Sequence, residues 1–552
     1  METLGQDLGT MRRVPLADAH VAAIRAIGAE QRYSAGAIVM DIGEPMDRFI
    51  YVITGEIEVA DPRSGERMLP SSLGPTQFLG EIGFLNGGTN IMRMRAAVDT
   101  TVIEAPRQAM LTLMSQVPEL SDHLITVFAA RRRAQFDARN DTIKVIGADR
   151  DPQVQAVERF LSRNRIPFQS YDMDATDRET AAMCSLIGHE PAVILAADTP
   201  LADPTPRKVA QYLGLDLDIC SQRTYDLLIV GGGPAGVAAA VYAGSEGIEA
   251  LVIEDTAIGG QAGTSSRIEN YMGFPTGISG TDLTFRGQVQ AMKFGTRFIL
   301  PRRVEALSRR EDGAFCVTLD GDGSGGEAGG DQLCARALLV ATGVQYRRLP
   351  IDRLEELEGA GVFYSATEME ARFCGSSDVV VIGGGNSAGQ AAMFLSRAAA
   401  HVHLVVRGSS LAASMSSYLS QRLEADPRVT IHYHSQVTAL HGEKWLEAVT
   451  LRTGGNADDS QQRIAARALF IMIGAEPNTD WLSGLAEVDE KGFVLTGAAA
   501  GRESPFETGT SGIFAVGDVR SGSVKRVASA VGEGSVVVST IWTYLDGLRQ
   551  TA

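Results

Sequence analysis

The chain has 552 residues, room for about three or four domains at roughly one per 100 to 200 residues, and its 44% hydrophobic content is ample for packed cores. With 50 basic against 67 acidic residues the net charge is −17, a sign that repels a phosphate backbone and excludes nucleic acid as a partner. No run approaches the ~18 apolar residues of a membrane helix, and Met1-Glu2-Thr3-Leu4-Gly5-Gln6-Asp7 lacks an export pattern, so the expectation is a cytoplasmic protein without membrane attachment. Five cysteines, Cys184, Cys220, Cys316, Cys334 and Cys374, lie far apart, with no CxxC and no histidines at metal-ligand spacing. The expectation is no metal and no disulfide scaffold, most cysteines serving as small buried apolar residues. Cys374, just before a predicted strand, is the one to watch.

Residues 1–135 read as a helix, a set of short strands and a helix. Glycines at 36, 43, 55 and 65 punctuate apolar runs at 49–53 and 57–60, the spacing of a small all-β roll. Arg131-Arg132-Arg133, at the end of the closing helix, reads as a solvated face. Residues 142–220 alternate strand and helix, with strands at 143–146, 168–171 and 192–195.

Beyond residue 224 come two glycine-rich turns, Gly231-Gly232-Gly233-Pro234-Ala235-Gly236 and Gly383-Gly384-Gly385-Asn386-Ser387-Ala388. Each follows a short apolar run and opens an alanine-rich segment, the strand-turn-helix context that a dinucleotide fingerprint requires. The first glycine permits the tight turn, the second lets backbone N–H groups approach a pyrophosphate, and the helix N-terminus favours the negative charge. Two such turns predict two bound dinucleotides. After the first, Val252-Ile253-Glu254 ends a strand in an acid suited to ribose hydroxyls, as for FAD or NAD. After the second, the matching strand ends in Arg407, which suits a ribose phosphate, so NADPH is expected there, with NADH the other option.

Three stretches of the first region resemble the cyclic-nucleotide-binding domain: Gly36-Ala37-Ile38-Val39-Met40 to Gly43, Tyr51-Val52-Ile53-Thr54-Gly55, and Phe78-Leu79-Gly80-Glu81-Ile82-Gly83. In that family the Gly-Glu pair opens a phosphate cassette and a downstream arginine pairs with the cyclic phosphate. Gly80 and Glu81 match, but the arginine position falls near Asn90-Ile91-Met92, and Arg93 and Arg95 stand at a different spacing. A docking or regulatory module is the expectation, because a bound anion without its bidentate partner loses its strongest contact. Residues 142–220 resemble a glutaredoxin or thioredoxin-like domain with Pro191 in the place of that fold's cis-proline. The helix start Gly147-Ala148-Asp149-Arg150-Asp151-Pro152-Gln153 has no cysteine and cannot perform dithiol exchange.

From 224 onward the chain resembles the low-molecular-weight thioredoxin reductases. The resemblance rests on the first fingerprint, Gly259-Gly260-Gln261, Ile268-Glu269-Asn270-Tyr271, Leu338-Leu339-Val340-Ala341-Thr342-Gly343, Gly512-Ile513-Phe514-Ala515-Val516-Gly517-Asp518 and Lys525-Arg526-Val527-Ala528. It implies a multidomain fold: the all-β roll with helices (1–135), the thioredoxin-like α/β domain (142–220), and two Rossmann-like three-layer α/β domains. Of these, FAD takes 224–345 with 467–552 and NAD(P)H takes 346–466; a homodimer is implied too. By the same resemblance Gly231, Gly233, Pro234, Ala235 and Gly236 hold the FAD pyrophosphate, Glu254 the adenosine ribose, and Val304 lines the adenine. Gly260, Gln261 and Asn270 lie toward the flavin, beside the Ala341-Thr342-Gly343 turn. Gly517 and Asp518 take the ribityl hydroxyls, and a helix opening at Arg526, Val527 and Ala528 points at the flavin's pyrimidine edge. Gly383, Gly385, Asn386, Ser387, Ala388 and Arg407 hold NAD(P)H.

Two departures qualify the resemblance. The family's Cys-Ala-Thr-Cys reads Ser365-Ala366-Thr367-Glu368 here, and the closest thiol is Cys374. Of the family's arginine cluster only Arg407 remains, with Ser409, Ser410, Ser414 and Ser416 as neutral neighbours. The leading expectation is an oxidoreductase that passes electrons from NAD(P)H through FAD to a small-molecule or protein acceptor, with Glu368 and Cys374 as the candidate catalytic residues. The alternatives are a redox sensor or interaction protein with bound FAD, and a thioredoxin reductase using Cys374 and an outside thiol.

Overall fold

The structure, a computed structural model, describes residues 14–62, 64–69, 71–137, 143–149, 151–174, 180–181, 191–195, 200–216, 223–265, 268, 270–321, 331–358, 360–364, 366, 370–371, 374, 377–454 and 460–551. Cys184, Cys220, Arg150, Glu269, Ser365, Thr367 and Glu368 lie outside the described residues, as do the side chains of Arg132 and Arg133.

In the first unit α1 (Asp18–Ile27) precedes two facing sheets. One has the order β1-β7-β3-β5, from Ala29–Tyr33, Thr100–Pro106, Arg48–Thr54 and Phe78–Leu79; the other is β2-β6-β4, from Ile38–Met40, Met94–Ala96 and Ile57–Val59. Phe49, Phe78, Phe84 and Phe128 fill the core, the Phe49–Phe78 and Phe84–Phe128 ring centroids lying 5.3 and 6.4 Å apart. The short helix α2 (Ile82–Asn86) leaves the end of β5, and α3 (Arg107–Gln116) and α4 (Pro118–Asp137) close the unit. Arg131 is not on a solvated face. Its guanidinium lies 4.7 Å from the Phe78 ring centroid and donates to Phe78 O and Gly80 O, both at 2.9 Å. An aromatic face and two strand-end carbonyls draw it inward, a pairing that a run of three arginines does not reveal.

The second unit is a four-stranded sheet of order β11-β10-β8-β9, from Leu201–Ala202, Ala192–Leu195, Ile143–Gly147 and Gln169–Asp172. β8 pairs β9 in parallel and β10 in antiparallel. Helix α5 (Pro152–Arg163) starts where Asp151 accepts from Gln153 N at 2.8 Å, with proline in its first turn. A short helix α6 (Pro206–Tyr212) ends the unit.

The third unit carries a seven-stranded sheet, β14-β13-β12-β17-β16-β15 with β28 on β17. β12 (Thr224–Val230), β13 (Ala250–Ile253), β14 (Arg297–Ile299), β17 (Gln332–Val340) and β28 (Ile513–Ala515) run parallel, while β15 (Val304–Arg309) and β16 (Phe315–Leu319) form a meander with β17. Helices α7 (Pro234–Ser245) and α8 (Gly280–Lys293) pack side by side, and α11 (Val527–Thr551) lies on α7. The approach is close: a Cβ added at Gly534 would stand 2.1 Å from Ala235 O. The parallel strands read as unbroken apolar runs because both faces are covered.

Between β18 (Val344–Tyr346) and β27 (Ala475–Pro477), which pair antiparallel, the chain makes a second parallel sheet of order β19-β26-β20-β21-β22. Its strands are Val362–Phe363, Ala468–Ile471, Val379–Ile382, Val402–Val405 and Val429–His432, with α9 (Asn386–Leu395) and α10 (Ser417–Ala425) after β20 and β21. β23 (Ser435–His441), β24 (Ala448–Thr453) and β25 (Ser460–Ala465) form a separate antiparallel sheet. β26 pairs with β20, so the return crossing lies beyond residue 471 rather than at 466–467 as the sequence suggested. An apolar strand at a crossing reads the same for either sheet, and pairing decides which takes it.

Two of the cysteines also depart from the expectation of small buried apolar residues without a disulfide. Cys316 on β16 and Cys334 on β17 are direct register partners and form a disulfide, with Cα atoms 4.1 Å apart. Their spacing of 18 residues concealed this, because the hairpin register brings them together. The bond lies beside Thr224, where β12 begins, and β17 runs six residues further to Val340, about 20 Å along a strand.

Candidate functional site

β12 ends at Val230 and α7 begins at Pro234, so the chain reverses within Gly231-Gly232-Gly233. Gly231 has φ +109°, and a Cβ there would stand 2.3 Å from Ala341 O. A Cβ at Gly236 would meet Gly231 O at 1.9 Å, so the helix presses on the turn. At Gly233 the same Cβ would meet nothing within 4 Å. The turn therefore opens onto free space at a helix N-terminus, where backbone N–H groups lack intrahelical partners.

Four further segments converge on this turn. Glu254, after β13, is buried; its carboxylate accepts from Gly232 N at 2.7 Å, Thr256 N at 3.1 Å and Ala257 N at 3.2 Å. Burial pushes its carboxyl up to about 8, the charge of Asp255 adds to the rise, and the Gly232 N–H opposes it. Gly259 N donates to Gly232 O at 2.8 Å, and a Cβ at Gly260 would lie 3.2 Å from Gly233 Cα. The Ala341-Thr342-Gly343 turn follows β17, and Thr342 Oγ1 donates to Asn478 O at 2.9 Å. Gln261 Nε2 donates to Val344 O at 2.6 Å, which ties its loop to the crossing strand.

A Cβ at Gly517 would lie 3.0 Å from Ala235 Cβ, which brings Asp518 to the same place, and burial raises the Asp518 carboxyl above its ordinary range. Gly517 N donates to Glu533 Oε2 at 2.7 Å, and Arg520 pairs with Glu533 at 2.6 Å. Glu533 thus braces the Asp518 turn, a role with no motif to announce it. α11 begins at Val527, with Arg526 and Ala528 exposed beside it. Val304 is buried in the core that includes Ile253 and Val519, whereas Asn270 is exposed and makes none of these contacts.

The second turn repeats the plan. A Cβ at Gly383, whose φ is +142°, would stand 2.3 Å from Met472 O, while at Gly385 it would meet only Ser414 O at 3.9 Å. Asn386 Oδ1 accepts from Ser416 N at 2.7 Å, and Ser414 Oγ donates to Gly384 O at 2.8 Å. Ser410 Oγ accepts from Ala412 N at 3.1 Å. Ser387 and Ala388 lie in the first turn of α9, and Ala388 is buried. Arg407 is exposed just past the end of β21.

At the dithiol position, Ser365 and Glu368 lie outside the described residues. Cys374, the one free cysteine among the described residues, is 1% exposed and donates from Sγ to Glu370 O at 3.3 Å. Burial pushes its thiol up to about 12, and the charge of Glu370 adds to the shift.

The family model for pyridine nucleotide-disulphide oxidoreductases matches residues 225–534. The chain belongs to this family. Thioredoxin reductase of Streptomyces clavuligerus is 33% identical to this oxidoreductase over 328 residues, 59% of this chain and 95% of that one. Thioredoxin reductase of Treponema pallidum (strain Nichols) is 32% identical over 325 residues, 59% and 98% of the two chains. A crystal structure of Lactococcus lactis thioredoxin reductase has a TM-score of 0.52 at 26% identity, covering 59% of this chain and 100% of that one. The chain is thus an FAD-dependent NAD(P)H oxidoreductase of the thioredoxin reductase family.

A cyclic nucleotide-binding domain model matches residues 30–117. In this oxidoreductase Glu81 precedes α2, and Arg107 donates to Phe84 O and Leu85 O at the end of that helix. Asn90, near the position of the phosphate-binding arginine, donates to Asp41 O at 2.8 Å and Met92 O at 2.5 Å. Arg93 pairs with Asp41 at 2.8 Å and Arg95 with Glu58. Among the described residues of the oxidoreductase, no group of His, Cys, Asp or Glu is arranged to hold a metal ion, and no helix is long and apolar enough to cross a membrane.

Proposed function

We propose that this oxidoreductase draws a hydride from NAD(P)H and delivers the electron pair to an external acceptor without a dithiol of its own. The carrying observation is the state of the cysteines. Ser365 and Glu368 stand where the family has its thiols, Cys374 is buried with a thiol pushed up to about 12, and the Cys316–Cys334 disulfide lies at the far end of the sheet from the Gly231 turn. Bound FAD would supply hydride acceptance and electron release, with a quinone, oxygen, a protein or the disulfide form of a substrate thiol pair as the acceptor.

The first turn fits FAD: open space lies at Gly233 where a pyrophosphate belongs, and Glu254 is oriented by three N–H groups. On this reading Gly231, Gly233, Pro234, Ala235 and Gly236 take the pyrophosphate, Glu254 the ribose, and Asp518 the ribityl hydroxyls. The N-terminus of α11 favours negative charge on the flavin. Gly383, Gly385, Asn386, Ser387, Ala388 and Arg407 take NADPH. The same proposal gives 142–220 a thioredoxin-like fold, supported by its parallel β8–β9 pair with antiparallel β10, and, by the family resemblance, makes the protein a homodimer. Anaerobic mixing with NADPH and NADH, followed by a screen of acceptors, tests the whole reading; flavin that neither coenzyme reduces would refute it.

Two results follow. Arg407→Ala is expected to raise the Kd for NADPH about tenfold or more and leave NADH nearly unchanged, because only NADPH carries the 2′-phosphate that the guanidinium can pair with. Equal losses in coenzyme titrations would remove Arg407 from the phosphate site. Cyclic AMP and cyclic GMP are expected to bind weakly or not at all, since Arg93 and Arg95 are engaged with carboxylates and Asn90 with carbonyls. Micromolar binding in calorimetry would contradict this.

A further inference from the structure

The second unit lacks cysteines at the start of α5, and it docks on the FAD unit by the opposite end of that helix. α5 runs from Pro152 to Arg163, about 18 Å at 1.5 Å per residue. Asn164 caps its C-terminus and donates from Nδ2 to Phe160 O at 2.8 Å and to Thr256 O at 3.3 Å. Arg163 Nη2 donates to Gly260 O at 3.2 Å. Arg165, in the left-handed region at φ +54°, turns the chain back; it pairs with Asp282 of α8 at 2.5 Å and its guanidinium lies 5.4 Å from the Phe285 ring centroid. Thr256 and Gly260 belong to the loop whose inner side donates to Glu254 and abuts Gly233. One turn therefore holds this loop from outside near both ends while the dinucleotide turn meets it from inside.

We propose that Arg163-Asn164-Arg165 is a clamp on the 254–261 loop, with Arg163 and Asn164 as positioning residues for FAD. The proposal rests on the reading of Gly233 and Glu254 as FAD contacts. Loops that close over a ligand are the parts of a fold that open first, and restraining one slows ligand escape. The surface where this fold elsewhere carries its redox pair stands a helix length away, so the unit contributes grip in place of thiol exchange. The two thioredoxin reductase relatives match over 95% and 98% of their own length with only 59% of this chain, so the clamp is an addition to the body they share.

The test is flavin release from the full chain, followed by the rise in free-FAD fluorescence. Arg163→Ala/Asn164→Ala is expected to release FAD about ten- to thirtyfold faster, the effect of two lost hydrogen bonds. The FAD-free chain should lose no more than a few degrees in melting temperature, the effect of the lost Asn164 bond to Phe160 O, and Arg163→Lys, which keeps a cationic donor for Gly260 O, should recover part of the retention. Glu254→Ala runs beside them. Release at the wild-type rate in the double variant, with faster release in Glu254→Ala, overturns the clamp and leaves the FAD site standing. No change in Glu254→Ala overturns the site reading and the clamp with it. A lower FAD-free melting temperature with unchanged release assigns the turn a purely structural role and also overturns the proposal. Should the double variant fail to fold, Arg163→Lys and Asn164→Ala decide singly by the same release rates.

Discussion

Gly233→Val is expected to leave the purified chain colourless. The backbone at Gly233 is extended, with φ −69° and ψ 178°, a conformation that any residue adopts, and a Cβ there meets no protein atom within 4 Å. The variant should therefore fold. Its branched side chain would occupy the space the pyrophosphate needs, so flavin content should fall from one per chain to a few per cent or less, read as visible absorbance against protein. Gly231→Val is the informative contrast: with φ +109° and Ala341 O at 2.3 Å, it should damage the fold as well as the site. A yellow, stoichiometric Gly233→Val protein would show that the dinucleotide does not lie over this turn.

NADPH-dependent reduction of thioredoxin, or of a small aromatic disulfide, is expected to be negligible even though flavin reduction proceeds. Disulfide exchange begins with a thiolate. With its thiol pushed up to about 12, Cys374 holds roughly one part in a hundred thousand as thiolate at pH 7, and its sulfur is buried against Glu370. Cys374→Ser should therefore change nothing in a thioredoxin-coupled assay. Robust wild-type turnover that the variant loses would make Cys374 a relocated redox thiol. Robust turnover in both would mean that electrons reach the acceptor disulfide without Cys374.

The dinucleotide turns were legible because their requirement is local. A strand, a tight reversal through glycines and a helix start within a few residues, and no distant contact is needed to specify them; Glu254 and Arg407, at the ends of the next strands, could be read for the same reason. The boundary near residue 467 was misplaced because β26 is an apolar run that either sheet could accept, and only its pairing with β20 assigns it. Arg131 was misread because Phe78, the ring it covers, is 53 residues away.

What the sequence alone determined is a set of local motifs: two glycine-rich dinucleotide turns, Glu254 and Arg407 after the strands that follow them, and Ser365 and Glu368 at the position aligned with the family's dithiol. Tertiary structure decided the rest. Cys316 and Cys334 meet through strand register, Glu533 braces the Asp518 turn from a helix, and Asn86 of α2 joins the first unit to β14 through paired 3.0 and 2.9 Å bonds to Phe298 O and N, across 212 residues. The Arg163 and Asn164 bonds to the FAD-side loop span 97 and 92 residues. A short-range pattern records what the backbone must do locally, whereas these contacts depend on where separately folded units come to rest, and no spacing along the chain encodes that.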